Sequence, residues 1–154
     1  CKLFIDVLHN KNPWDEYLTT PLHYAARCGH FEVCKLLMEN LLDKNPVNEN
    51  DITPLHTASY SGQVEVYKLI MSNTQDKNPE DRDGWTPLHY AAEDGWFELC
   101  KLILLQVDDK NPSDNVGKSP RCIAQERGHL NIVDLINSHL EYPPSKKLKI
   151  EYYI

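Results

Sequence analysis

The sequence contains no long apolar run, which limits the classes of protein to which it can belong. A membrane-spanning helix needs roughly 20 predominantly apolar residues, and no segment of the 154 residues approaches that length. The N-terminus also lacks the pattern of a secretory signal peptide. Because the first residue is Cys1, we expect the native N-terminus to lie upstream. A chain of this size suits one domain.

Basic residues are also in deficit. The 16 Lys and Arg residues are outnumbered by 23 Asp and Glu residues, which gives a formal net charge of -7. A protein that binds nucleic-acid phosphates usually carries a basic patch, so the composition argues against that class. Lys146, Lys147 and Lys149 form a short basic cluster near the C-terminus. We interpret it as part of a solvated tail rather than as a nuclear address or a lipid contact.

The motifs that carry catalysis are missing as well. The sequence has no Gly-rich phosphate loop, no nucleophilic Ser elbow and no carboxylate pair apart from the repeated positions. His23, Cys28, His30 and Cys34 are close in sequence, but no pair of them has the short ligand spacing typical of a zinc site. The sequence therefore makes no case for an enzyme, a metal site or a cofactor.

What the sequence does contain is a repeat of 33 residues. Thr-Pro-Leu-His begins at Thr20, Thr53 and Thr86, and a degraded copy begins at Ser119. The same interval separates four Asn-Pro pairs and four glycines, which are Asn12, Asn45, Asn78 and Asn111, and Gly29, Gly62, Gly95 and Gly128. A fixed period of this length is typical of an array of stacked units. Such arrays usually serve as extended binding surfaces.

The copy that begins at Asp81 shows how one unit is built. Asp83-Gly84 is a tight-turn signal, because glycine tolerates a positive φ. Thr86 can then cap a helix that begins at Pro87. Gly95 is placed to close this short helix. The unit therefore starts with a turn and a first helix.

A second helix is expected from Trp96 to Leu104, because apolar residues recur there at helical spacing. Each unit is thus predicted to be a turn followed by two antiparallel helices. His89 falls at the third position of the first helix, where its side chain can bond back to the cap or to the neighbouring loop. Leu18 and Asp51 stand where the other two turns have glycine. These two turns are expected to be strained, to adopt a different geometry, or to use the tolerance of aspartate for a positive φ.

The unit resembles a known family. Asp-Gly-Trp-Thr-Pro-Leu-His-Tyr-Ala-Ala at 83–92, with Gly95 and then Phe-Glu-Leu-Cys-Lys-Leu at 97–102, closely resembles the ankyrin repeat. The Asp-Lys-Asn stretch at 109–111 resembles that family's loop before each new turn. The resemblance covers residues 1 to about 141 of this sequence. It implies an all-α solenoid of stacked turn–helix–helix units with a curved concave face.

This interpretation divides the chain into one array and a tail. The predicted units are a partial one at 1–13, full units at 14–46, 47–79 and 80–112, a C-terminal capping unit at 113–141, and then a tail at 142–154. Residues 1–8 match residues 34–41, so the chain is expected to begin inside the second helix of a broken unit. Unit 113–141 is interpreted as a cap because polar residues such as Arg121 and Gln125 replace apolar ones. The end of the tail is apolar enough to pack back on the array or to contact something else.

The five cysteines favour a reduced protein. Cys1, Cys34 and Cys100 occupy the same position of three units, between apolar residues, and are expected to be small core residues of an intracellular protein. The alternative, a disulfide framework, would join equivalent positions that lie about 10 Å apart in a stack, beyond the reach of a bridge. Cys28 and Cys122 have no evident partner.

Residues that the repeat does not dictate are the candidates for partner binding. The turn tips and the first helices form the concave face in this architecture, and aromatic and Arg residues are the usual anchors of an interface. The predicted partner-binding residues are Trp14, Tyr17, Arg27, Glu49, Ile52, Tyr60, Arg82, Asp83, Trp85, Glu93, Asp94, Trp96, Lys118 and Arg127. The preferred contacts among them are Trp14, Tyr17, Tyr60, Trp85 and Trp96. Packing of Trp14 and Trp85 onto neighbouring turns within the stack is an equally open interpretation.

The leading prediction is a protein–protein interaction module. Glu49, Asp83, Glu93 and Asp94 would make the middle of the face acidic, so the expected partner is a protein or peptide with basic or mixed charge and an apolar anchor. Two alternatives remain open. The array is either a structural spacer, or a regulatory segment of a larger protein such as an enzyme, a channel or a ubiquitin-ligase adaptor. The expected location is intracellular, in the cytoplasm or the nucleus.

Overall fold

The computed structural model describes residues 13–141, so the predictions for residues 1–12 and for the tail lie outside the described residues. This part of the chain contains eight α-helices and no strand, which confirms the predicted all-α class. The helices form four pairs, one in each unit from 14 to 141. The pairs are α1 (Pro21–Arg27) with α2 (Phe31–Asn40), α3 (Pro54–Tyr60) with α4 (Val64–Asn73), α5 (Pro87–Glu93) with α6 (Phe97–Gln106), and α7 (Pro120–Arg127) with α8 (Leu130–Glu141).

The pairs stack into one continuous core. The first helices α1, α3, α5 and α7 contact one another in chain order, and each also contacts the second helix of its own pair. Three alanines of the first helices are fully buried, namely Ala26, Ala58 and Ala92. Their small side chains let the helices approach closely. The second helices supply the larger core residues, which include Leu37, Met38, Val66, Ile70, Leu99, Ile103, Leu104, Ile132 and Ile136. No pair has a core of its own, so each is stable only against its neighbours.

Each unit opens with a tip loop that is built around one side-chain acceptor. Asp81 Oδ1 accepts hydrogen bonds from the backbone N–H groups of Asp83 at 2.9 Å and Trp85 at 2.8 Å. The equivalent acceptors, which accept the same pair of bonds, are Asp15, Asn48 and Asp114. This is the local bonding by which Asp and Asn favour turns. The recurring acceptor was not singled out from the sequence, although it keeps the 33-residue period.

The tip loops also share a left-handed residue. Gly84 and Gly117 have φ values of 79° and 83°, and Leu18 and Asp51 have values of 58° and 59° at the same position. Both non-glycine turns therefore keep the left-handed geometry of the others, and the different geometry that the sequence also left open is not adopted. Aspartate visits this region readily, whereas for most residues it costs roughly 1–2 kcal/mol. The strain is thus concentrated at Leu18.

A buried imidazole joins each unit to the next. His56 Nδ1 accepts a hydrogen bond from the backbone N–H of Thr53 at 3.0 Å, so the ring proton is on Nε2. The Nε2–H group donates to the carbonyl oxygen of Pro79, at the end of the same unit, and to that of Trp85 in the following unit, each at 3.0 Å. The ring therefore bonds to the start of its own helix and to the neighbouring loop, the two roles that the sequence suggested for this position.

The same link recurs on both sides of His56. His23 donates to the Ile52 carbonyl at 2.9 Å, and His89 donates to the Lys118 carbonyl at 3.3 Å. Burial lowers the pKa of all three imidazoles, and that of His56 falls to about 4. All three rings are therefore neutral near pH 7, as the accepting role of Nδ1 requires.

The four described cysteines are free thiols. Cys34 and Cys100 are buried, and burial raises the pKa of their thiols to about 11 and about 12, respectively. The prediction that these two are core residues is confirmed. Cys28 and Cys122 are exposed, and Cys1 lies outside the described residues.

We expect Leu18→Gly to raise the free energy of unfolding by about 0.5–1 kcal/mol. The substitution removes the cost of a left-handed leucine, and the greater freedom of glycine in the unfolded chain offsets part of this gain. Urea unfolding followed by circular dichroism measures the change. Leu18→Ala is the control, because alanine still has a side chain that opposes the positive φ. An equal gain in Leu18→Ala would attribute the effect to loss of an exposed leucine rather than to relief of strain.

We also expect the free energy of unfolding to fall as the pH is lowered from about 6.5 to about 4. The unfolded chain takes up protons on its histidines in this range, whereas the folded chain resists because the pKa of the buried imidazoles is lowered by burial. The contribution of His56 alone is on the order of 3 kcal/mol across this range. Urea titrations at a series of pH values measure the slope.

His56→Gln should flatten this slope, because it removes a buried imidazole whose pKa is lowered by burial. The carboxyl pKa values of Asp15 and Asp114 are also lowered, but their effect belongs to pH values below about 4. A slope that is the same in His56→Gln and in the unsubstituted chain would contradict the assignment.

Candidate protein-binding surface

Backbone hydrogen bonds join the tip loops of neighbouring units into one edge. The three bonds are each 3.0 Å long and run from the N–H of Glu49 to the carbonyl of Tyr17, from Arg82 to Asn50, and from Asn115 to Asp83. Each bond fixes one tip against the next. We call this edge, together with the exposed sides of α1, α3, α5 and α7, the concave face.

In two units a tyrosine ties the first helix to the tip loop. Tyr24 donates its phenolic proton to Asp15 Oδ2 at 2.8 Å, and Tyr90 donates to Asp81 Oδ2 at 2.6 Å. Burial, and after it the bond to Asp81, raises the pKa of Tyr90. The bond to Tyr24 lowers the pKa of Asp15. The Asp15 carboxyl therefore stays ionised at neutral pH. In both units one carboxylate oxygen is bonded to the loop and the other to the helix.

The second unit departs from this arrangement and contains a pocket. Asn48 replaces the aspartate, and Thr57 replaces the tyrosine. The Thr57 hydroxyl donates to the Pro54 carbonyl of its own helix at 2.9 Å and to the His23 carbonyl at 3.4 Å, so this side chain does not tie the helix to the tip loop. A pocket of about 260 Å³ lies here, and its lining residues are Arg27, Ile52, His56, Thr57, Tyr60 and Tyr90. Three of the predicted partner-binding residues, Arg27, Ile52 and Tyr60, thus meet in one place.

Trp85 is engaged within the stack. Its indole Nε1–H donates to Asp114 Oδ2 in the following unit at 3.1 Å, and its ring stacks on His89 with centroids 5.7 Å apart. Burial opposes ionisation of Asp114, but hydrogen bonds from Lys118, Val116 and Trp85 outweigh it and lower the pKa of Asp114. The indole therefore donates to the acceptor of a tip loop, as the tyrosines do in the first and third units. This agrees with the interpretation in which Trp85 packs onto a neighbouring turn within the stack.

Trp96 combines a structural contact with exposure. Its indole Nε1–H donates to the Tyr60 carbonyl at 3.1 Å, and its ring covers Gly62 so closely that a Cβ at Gly62 would lie 2.5 Å from a ring atom. Trp96 as a residue is nevertheless 42% exposed, and Tyr60 is 47% exposed. Trp96 and Tyr60 are therefore neighbours on the surface, at the C-terminal ends of the first helices.

The charge at the middle of the face is lower than the sequence suggested. Glu93 forms an ion pair with Arg127, which neutralises one of the four predicted carboxylates. Lys118 pairs with Glu126 at 2.7 Å. Asp94 is exposed as a residue, but its carboxyl group is partly desolvated. This burial, and after it repulsion by Glu93, raises the pKa of Asp94. The sequence could not show these pairs, because their partners lie 8 and 34 residues apart.

The tips keep an excess of negative charge. Glu49 and Asp83 are exposed there, and Arg82 lies between them in space. The Arg82 guanidinium bonds to the Glu49 carbonyl oxygen, and at 3.4 Å to Asn50 Oδ1, rather than to a carboxylate. These bonds stiffen the tip edge without neutralising either acid.

Two predicted aromatic contacts lie at the first unit. Trp14 is 60% exposed and Tyr17 is 54% exposed. Trp14 also lines an open groove of about 620 Å³, whose other members include Tyr24 and Cys28. A further groove of about 580 Å³ lies between the segments around Asn45 and Asp76, each of which follows a second helix. Its lining contains none of the predicted partner-binding residues.

The residues missed by sequence reasoning are those that shape the face. They are Tyr24, Thr57 and Tyr90 on the first helices, together with the acceptor of each tip loop. A signal for them was present, because they occupy fixed positions of the period. Within residues 13–141, no three His, Cys, Asp or Glu side chains are grouped as a metal site would require. No helix of the same segment has the length and apolar character needed to cross a membrane.

Comparison with known proteins identifies the repeat. The family model described as ankyrin repeats (3 copies) matches residues 1–81 and 68–144, which is most of the chain. The chain therefore belongs to the ankyrin-repeat family. None of the curated proteins with which it was compared matches it. Ankyrin repeats are generally protein–protein interaction modules.

We expect Trp85→Phe to lower the free energy of unfolding by about 1 kcal/mol. The substitution keeps an aromatic ring but removes the hydrogen bond to Asp114, and bonds to charged groups contribute more than neutral ones. Trp14→Phe is the control, since Trp14 is largely exposed and its indole donates no hydrogen bond within the described residues. Urea unfolding followed by circular dichroism measures both. Equal changes in the two variants would contradict the structural role of Trp85.

Proposed function

We propose that this array binds a segment of another protein on its concave face. The observation that carries the proposal is the division of residues by the repeat. Positions that recur, such as His56 and Leu55, are buried, whereas Tyr17 and Tyr60, which do not recur, are exposed on the concave face. Exposed aromatic residues grouped on a rigid surface are typical anchors of protein interfaces. The general role of the family supports the same conclusion.

The proposed partner has mixed charge and an apolar anchor. Basic groups of the partner would face the exposed carboxylates of the tips, which include Glu16, Glu49, Asp51 and Asp83. The anchor would contact the aromatic surface around Tyr60 and Trp96. Charge complementarity of this kind mainly raises the association rate and selects the partner, while buried apolar contacts supply affinity. The free cysteines support an intracellular location, where thiols stay reduced.

The double variant Tyr17→Ala/Tyr60→Ala tests the proposal. Partners captured by the full chain from a cell extract, and identified by mass spectrometry, should bind this variant at least tenfold more weakly. Loss of a hot-spot aromatic residue costs 2 kcal/mol or more, which corresponds to a factor of about 30. Both side chains are about half exposed, so the fold should be retained, as circular dichroism would verify.

A matched control changes two leucines on second helices. Leu105→Ala/Leu130→Ala removes apolar surface of similar exposure, 57% and 63%, away from the concave face. The control should keep the partners. If both double variants lose the same partners, or neither does, binding through the concave face is wrong.

A further inference from the structure

The pocket of the second unit exists because two positions of this unit differ from those of its neighbours. The first and third units have an Asp–Tyr pair between tip loop and first helix, whereas the second has Asn48 and Thr57. Threonine is much smaller than tyrosine and its hydroxyl is already bonded to Pro54. The space that a tyrosine would occupy is therefore left open between Arg27 of the first unit and Tyr90 of the third.

The walls of this pocket are held in place before any ligand arrives. Tyr90 is fixed by its bond to Asp81 and meets Tyr60 edge to face, with ring centroids 6.3 Å apart. His56 contacts the same ring from below at 5.6 Å and is bonded at both nitrogens. A binding site that is already ordered loses little entropy when a ligand binds.

The size of the pocket suits one side chain. Its volume is about 260 Å³, which lies below the 300–1,000 Å³ that is usual for small-molecule sites. A cavity of about 150 Å³ is enough to hold a benzene ring. An aromatic or leucine-sized side chain therefore fits, with room for part of the backbone that carries it.

Arg27 lies at the rim of this pocket. Arg27 is exposed, and within residues 13–141 its guanidinium pairs with no carboxylate. Lys118 and Arg127, the cations at the other end of the face, each have a carboxylate partner. An unpaired guanidinium beside an apolar pocket favours a carboxylate, with which it can form two parallel hydrogen bonds.

We propose that this pocket takes an aromatic or leucine-like side chain from an internal segment of the partner, and that an adjacent Asp or Glu side chain of that segment binds Arg27. The inference rests on the proposed function and adds a sequence preference to it. The acidic residue lies next to the anchor, and the basic residues expected for the tips lie farther along the partner.

Selection of random twelve-residue peptides displayed on phage, against the full chain, tests the preference. We expect the enriched peptides to share an aromatic residue or leucine with Asp or Glu within two residues of it. Amidated synthetic copies should bind in fluorescence anisotropy, because the carboxylate belongs to a side chain. Enrichment of peptides with Lys or Arg at the anchor, or a requirement for a free C-terminus, would overturn the inference.

The double variant Asn48→Asp/Thr57→Tyr fills the pocket with the pair that the neighbouring units already contain. It should fold, because the same pair occurs in two other units, and it should bind the selected peptides at least tenfold more weakly. Arg27→Glu should weaken binding by a similar factor, and replacement of the peptide's acidic residue with Lys should restore it. Lys101→Glu, which makes the same charge change on the exposed side of α6, is the control and should bind normally.

The results separate this inference from the proposed function. In one outcome the peptides no longer bind Tyr17→Ala/Tyr60→Ala, but their affinity for Asn48→Asp/Thr57→Tyr is within twofold of that for the unsubstituted chain. This outcome keeps the concave face as the binding surface and overturns the inference about the pocket. Peptides unaffected by either double variant overturn both. The same holds if selection enriches no peptide.

Discussion

The bond from each buried imidazole to the next unit is the interaction on which the rest of this structure depends. His23, His56 and His89 each close the start of their own helix and donate to a carbonyl one unit away. Because the rings are buried, water does not compete for these bonds. The link sets the position of each tip loop relative to the preceding first helix. The tip edge follows from it, since every tip is placed against its neighbour in the same way.

This regularity explains how a scaffold of identical parts acquires a distinct surface. Residues that make the link, the tip loop and the core must recur, because each unit solves the same packing problem. The remaining side chains are free to differ, and many of them lie on the tips and first helices. A change such as Thr57 then alters the surface without disturbing the stack, since the neighbouring Tyr90 is held by its own loop.

Much of the fold could be predicted because its signals are local. Thr-Pro marks a helix start wherever it occurs, since the cap and the missing proline donor concern a single turn. The left-handed turn at Leu18 was one of the outcomes that the sequence left open, because its position in the period matches a glycine. The roles of Trp14 and Trp85 could not be predicted. An indole can stack within the array or face solvent, and the choice depends on whether an acceptor such as Asp114 is within reach.

The sequence by itself determined the period, the two helices of each unit, the buried cysteines and the face on which the variable residues lie. The tertiary structure alone decided how those variable residues pair. Within residues 13–141 it pairs Glu93 with Arg127, leaves Arg27 without a carboxylate partner and opens a pocket beside Thr57. The physical reason is that these relations are distances between side chains of different units. A period aligns such residues in register, but only the packed backbone brings them within, or beyond, bonding distance.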